Sequence, residues 1–274
     1  MAASDLTEER EGREPPRALL GLDRLLVVAA TLYLLGPAFL ARPRALGDSG
    51  EYLLAAESLF NHASADLRDE DVRSLVGAGA ETRIDGALGS LYDAYRPDRD
   101  GRAYGIHFWA YSLLCVPAKL GLRLLGQNEL KALQVTNALV FLLAVIRARR
   151  FAGRTSAPGF ALATLLLLSP AAAFVLWPHP EAFCSGLVVL SLVLWREGRI
   201  TAAVALTALA SVQNPPLVLL ALFLWWEAAR AARARAPFHQ AILFPSLALL
   251  PAVLPFVFYL GHFGRLTPLV DAGA

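Results

Sequence analysis

The sequence predicts an all-α protein, a polytopic transmembrane helical bundle of about seven spans, and three observations carry that expectation. The 274 residues are 56% hydrophobic and only 18% charged, with a mean hydropathy of +0.49. Apolar runs close to a bilayer in length recur along the chain, and a single soluble core has no room to hide them. Arginines gather in alternate connections between these runs, as the positive-inside bias requires. The formal net charge is only +2, so the position of the charges carries more information than their sum. Cys115 and Cys184 lie in apolar surroundings without metal-ligand or disulfide spacing.

Residues 1–24 read as a cytoplasmic tail, because Glu8, Glu9, Arg10, Glu11, Arg13 and Glu14, followed by Pro15 and Pro16, leave its first part almost nothing to bury. The first span, 25–41, has a long acid-rich leader where a cleaved secretory signal has a short basic one. It is therefore read as retained, with Arg17 and Arg24 holding its start inside. Residues 42–131 form a long outer loop with juxtamembrane helices. Its eight arginines up to Tyr104 do not oppose this orientation, which is set by short connections. The apolar stretch Ile106 to Leu125 is interrupted by Pro117, Lys119 and Arg123. As a span it would put Arg147, Arg149, Arg150 and Arg154 outside; as an amphipathic helix lying on the membrane surface it puts them inside.

The remaining spans occupy 132–260: Ala132 to Ile146, Phe160 to Trp177, Phe183 to Trp195, Ile200 to Val212, Pro216 to Trp226 and Ala241 to Leu260. Arg196, Arg199, Arg230, Arg233 and Arg235 then fall inside, while Pro178 to Glu181 and Gln213 to Pro216 fall outside. Several runs are shorter than the ~20 residues of an ordinary span and must borrow flanking residues. Residues 261–274 begin another outer loop, and the chain reads as a fragment or truncated product.

Four polar clusters fall on the outer side. In Gly47-Asp48-Ser49-Gly50-Glu51-Tyr52, Asp48 has the type and position of a helix N-cap and Glu51 those of its capping-box partner. A carboxylate at a helix start can equally take a proton from an acceptor hydroxyl, and the two roles are compatible. In Arg102-Ala103-Tyr104-Gly105-Ile106-His107-Phe108-Trp109, the aromatics suit an interfacial belt. Arg102 and His107 there offer charge-assisted hydrogen bonds to a lipid-linked phosphate. The segments Trp177 to Glu181, with His179 and Glu181, and Gln213 to Pro216, with Asn214, place further polar groups on the same side.

A first span followed by an acidic motif, a long outer loop, a Tyr-Gly segment and many Leu/Ala-rich spans resembles the GT-C superfamily of membrane glycosyltransferases. The likeness covers most of Leu25 to Arg265 as architecture, and at residue level Asp48, Glu51 and Tyr104 to His107. It implies a sugar donor linked to a polyprenyl phosphate and a role for Asp48 as catalytic base or acceptor-positioning group, with Glu51 as second acid. Arg102, Tyr104, His107, His179, Glu181 and Asn214 are the expected substrate-binding set. Two departures stand out: Ser49 and Gly50 separate the acids, and the Lys-Pro-Pro segment of some relatives is missing. The expected setting is the cytoplasmic membrane, with the N-terminus cytoplasmic and membrane lipid and the donor as partners. No nucleic acid, cofactor or nucleotide-sugar site is implied, and a divalent metal stays open. The competing expectation is a transporter or assembly subunit on a similar scaffold. The scarcity of ionisable residues within the spans argues for the enzyme.

Overall fold

A computed structural model of the chain describes residues 17–79, 94–151, 153, 156–233 and 237–267. The tail 1–16, the loop segment 80–93, Arg154, Arg235 and the end 268–274 lie outside the described residues. Apart from one small hairpin, the described elements are helical. In chain order they are α1 (Arg17–Leu40), α2 (Ser49–His62), α3 (Asp69–Gly77), β1 (Tyr95–Pro97), β2 (Ala103–Gly105), α4 (Ala110–Leu124), α5 (Ala132–Arg149) and α6 (Ala157–Leu167). There follow α7 (Pro170–Ala173), α8 (Glu181–Arg196), α9 (Ile200–Ser211), α10 (Val218–Arg233), α11 (Phe238–Ala248) and α12 (Leu250–Phe263).

Three of these stretches are long and apolar enough to cross a membrane: Gly21–Leu40, Glu129–Arg149 and Pro215–Arg233. Two more qualify if each bent pair is one span: Ala157–Leu167 with Pro170–Leu176, bent by 50°, and Ile242–Ala248 with Leu250–Phe263, bent by 56°. The breaks follow from proline. Pro170 and Pro251 lack the N–H that would continue the preceding helix, so each opens a new one in its first turn. The predicted spans over 183–195 and 200–212 are the helices Glu181–Arg196 and Ile200–Ser211, of 16 and 12 residues. Among the described residues the count of clear spans is thus three to five, below the predicted seven, because two helices are short and two are broken.

The bundle is organised around α5. In Glu129–Arg149 the buried share of the most apolar window is 67%, against 17% for Gly21–Leu40 and 22% for Pro215–Arg233. The latter two therefore turn most of their surface outward, while α5 packs against α1, α4, α6 and α8. Gly186 of α8 meets α5 so closely that a Cβ would lie 3.0 Å from Val140 Cγ1. Phe141, Leu133, Leu34, Leu54 and Tyr111 form the centre of the core.

The segment between α1 and α5 is built from α2, α3, the hairpin and α4. Residues 49–59 of α2 are all buried, so this helix is covered on every side, beyond the single apolar face that Tyr52, Leu53, Ala56, Leu59 and Phe60 predict. α4 has the predicted two-faced character with an unexpected sense. Tyr111, Ser112, Cys115, Lys119 and Leu122 face inward, while Leu113, Leu114, Leu120 and Leu124 are exposed. A leucine face turned outward and a lysine turned inward suit a helix whose outer solvent is lipid.

Candidate functional site

Antiparallel connection sorts the polar clusters by end. The C-termini of α1 and α9 and the N-termini of α5 and α8 lie at one end of the bundle. The arginine-rich termini of α5, α8 and α10 lie at the other. Two ion pairs tie that arginine end together: Arg149 Nε lies 3.1 Å from Asp23 Oδ1 of α1, and Arg147 pairs with Glu197 after α8. At the opposite end is a cavity of about 530 Å³, lined among others by Asp48, Tyr52, His107, His179, Glu181 and Asn214.

Asp48 stands immediately before α2, but its side chain makes no cap hydrogen bond. The turn is held instead by Ser49, whose Oγ accepts from the Leu46 N–H at 3.0 Å and donates to the Leu46 carbonyl at 2.7 Å. The predicted capping box does not form, because Glu51 is committed elsewhere. Glu51 is only 4% exposed; its Oε1 accepts the His107 backbone N–H at 2.7 Å, and its Oε2 lies 2.8 Å from His107 Nδ1. This close approach explains the Tyr104-Gly105 pattern. A Cβ on Gly105 would collide with Glu51 Oε1 and lie 3.2 Å from its Cδ. His107 Nε2 then faces Asp48, 3.8 Å from Oδ2.

His179 completes the wall. Its Nδ1 lies 3.2 Å from Glu181 Oε1 and its Nε2 3.0 Å from the Leu46 carbonyl. Tyr52 packs between the two histidines, with ring centroids 5.4 Å from His107 and 5.3 Å from His179. Burial works to lower the pKa of His107, but the Glu51 hydrogen bond and the charges of Glu51, Asp48 and Glu181 more than offset it, and the pKa ends above the ordinary imidazole value. For His179, burial is likewise outweighed, by the hydrogen bond and charge of Glu181, the Leu46 carbonyl and Asp48. Burial alone would raise the Glu181 pKa, yet the bond to His179 and the charges of both histidines hold it below the usual carboxylate range.

A second, mostly apolar cavity of about 250 Å³ adjoins the first and shares His107 and Gln213 with it. Phe108, Val212, Val218, Ala252, Pro255 and Phe256 are among its walls, so it opens between α9 and α12. Of the eight site residues expected from the sequence, Asp48, His107, His179, Glu181 and Asn214 line the polar cavity, and Glu51 sits behind His107. Arg102 and Tyr104 line neither cavity. The Arg102 N–H donates to Asp98 Oδ1 at 2.9 Å in the hairpin turn, and Tyr104 is buried against Phe258, His262 and Phe263 of α12.

The sequence reading missed the layer that fixes the site. Asn137, a fully buried amide on α5, donates to the carbonyls of Trp177 and His179 at 3.0 and 2.8 Å. Tyr111 donates to Asn137 Oδ1 at 2.9 Å. Tyr259 of α12 donates to the Ile106 carbonyl at 3.0 Å, and Gln213 donates to that of Phe108. The detectable signal was the run Gln134, Thr136, Asn137 inside an otherwise apolar span. A further group, His62, Glu70 and Asp71, has its potential ligand atoms within 4.8 Å of one another. The Asp71 carboxylate there is already taken up by Ser58, Asn61, His62 and the Arg68 N–H, which is the bonding of a structural cap. Set against family models, curated proteins and solved structures, the chain matches none.

Proposed function

We propose that this chain is a membrane glycosyltransferase of the GT-C kind, moving a sugar from a polyprenyl-phosphate donor to an acceptor at the outer face of the cytoplasmic membrane, on a bundle of seven spans whose shorter helices share the bilayer with their neighbours. The observation that carries this reading is the pairing of a polar cavity containing Asp48 with an apolar cleft, the two meeting at His107 and Gln213. A lipid-linked sugar has the same division: an apolar chain, a charged junction and a polar head. His107 stands at the junction with Nε2 turned toward the cavity, and its imidazolium suits a phosphate oxygen there.

The chemistry needs one base. The acceptor hydroxyl oxygen attacks the anomeric carbon, the bond from that carbon to the phosphate oxygen breaks, and polyprenyl phosphate leaves with the electron pair. The hydroxyl proton passes to Asp48, whose carboxylate is about half exposed to the cavity. Glu51, sequestered beneath His107, acts as a positioning residue by fixing that ring. Arg102 and Tyr104 serve the fold of the hairpin in this reading.

Release of polyprenyl phosphate by the purified protein in lipid nanodiscs, supplied with a panel of polyprenyl-phosphate sugars, tests the proposal. Because Asp48 makes no side-chain cap bond, Asp48→Asn should leave the helix intact and lower the rate about 100-fold or more. Turnover by the Asn variant equal to wild type would show that Asp48 is not the base.

A further inference from the structure

We infer that the head group received by the polar cavity carries a protonated amine. Asp48 and Glu181 turn carboxylates into the space, and no lysine or arginine is among the described lining residues. Gln213 and Asn214 also line the space and add no charge to it.

The two histidines do not reverse this balance. Glu51 faces His107 and Glu181 faces His179, so even with both rings protonated the five groups sum to one negative charge, that of Asp48. The raised pKa of each histidine reports the same negative field. The Tyr52 hydroxyl does so as well: burial is the main cause of its raised pKa, and the charges of Glu51, Asp48 and Glu181 add to it. A head group offering only hydroxyls gains hydrogen bonds here; an ammonium gains those bonds and the field together. An additional anion deep in the cavity is disfavoured, which keeps the donor phosphate at the His107 junction.

The inference rests on the two cavities forming one lipid site, and the test separates the two ideas. The probes are octyl glucoside and its counterpart with one sugar hydroxyl replaced by an amine, titrated by calorimetry into the full chain in a neutral detergent at a pH where the amine keeps its proton. The amino probe should bind about tenfold tighter, and the difference between the two probes should vanish in Asp48→Asn/Glu181→Gln, whose amide oxygens still accept hydrogen bonds from either. Equal, saturable binding of both probes to wild type would overturn the amine and leave the lipid site standing. Absence of saturable binding for either would overturn both. The comparison of probes on wild type stands even if the double variant fails to fold.

Discussion

Gly105 and Glu51 are 54 residues apart in sequence, yet each explains the other. The carboxylate occupies the space where any Cβ at position 105 would be, and from there it fixes both the backbone and the ring of His107. Glu51 thus sets the protonation of His107, and the sign follows from the direction of the shift. A histidine whose folded pKa is raised contributes stability that is fully present below its unfolded value, about 6.5, and is lost as pH rises through the folded value. Imidazole NMR titration should place the His107 midpoint above about 6.5 in wild type and move it downward in Glu51→Gln, with Gly105→Ala shifting it the same way. A midpoint unchanged in Glu51→Gln would mean that Glu51 does not govern this ring. Sequence pattern singled out both residues, but it paired Glu51 with Asp48 in a capping box. Local spacing reports only partners within a helical turn, whereas His107 reaches Glu51 through the fold.

At the scale of elements, α2 and α4 meet through a charge pair that looks out of place beside lipid. Lys119 Nζ lies 2.7 Å from Glu57 Oε2 and 3.3 Å from Glu129 Oε2, and the Lys119 and Glu57 side chains are 3% and 2% exposed. Ser74 of α3 donates to the other Glu57 oxygen at 2.6 Å, so three helices converge on one carboxylate. Removing one partner strands a buried charge, and Lys119→Met should cost about 3–5 kcal/mol. Much of that loss should return in Lys119→Met/Glu57→Gln, which neutralises the stranded partner. Unfolding in mixed micelles checks both, and a single variant as stable as wild type would refute the coupling. In sequence, Lys119 and Arg123 appeared only as interruptions of an apolar run. The choice of a surface helix over a span there came from the side on which Arg147, Arg149, Arg150 and Arg154 would fall. Which face turns inward depended on Glu57 and Glu129, whose proximity to Lys119 no local pattern contains. The hairpin was missed for a related reason: two three-residue strands fall below any alternation signal, and the turn that Asp98 and Gly101 build is legible only once it is closed.

Across the whole molecule, charge and polarity separate to opposite ends of the bundle. Arg147 and Arg149 are drawn to the ends of α8 and α1 by Glu197 and Asp23, while Asp48, His107, His179, Glu181 and Asn214 gather at the other end. This separation was readable from the sequence, since alternation of arginine-rich and arginine-free connections survives errors in individual span boundaries. The number of spans was less readable, because a bent pair and a straight helix have the same composition and differ only in where a proline falls. The proposed function takes its orientation from the positive-inside bias, with the arginine end in the cytoplasm and the cavity at the outer face. Single cysteines introduced at Asp100, exposed in the hairpin turn, and at Arg199, exposed after α8, test that assignment in a background lacking the native Cys115 and Cys184. On intact cells a membrane-impermeant maleimide should label position 100 and spare position 199 until the membrane is opened with detergent. The reverse pattern would put the cavity in the cytoplasm, where a donor presented at the outer leaflet cannot reach it, and would end the proposed function together with the orientation. Labelling of both positions before detergent would mean an even number of crossings between residues 100 and 199: either α4 crosses the bilayer, or one of the three spans expected there, the bent pair α6 and α7 first among them, turns back without crossing.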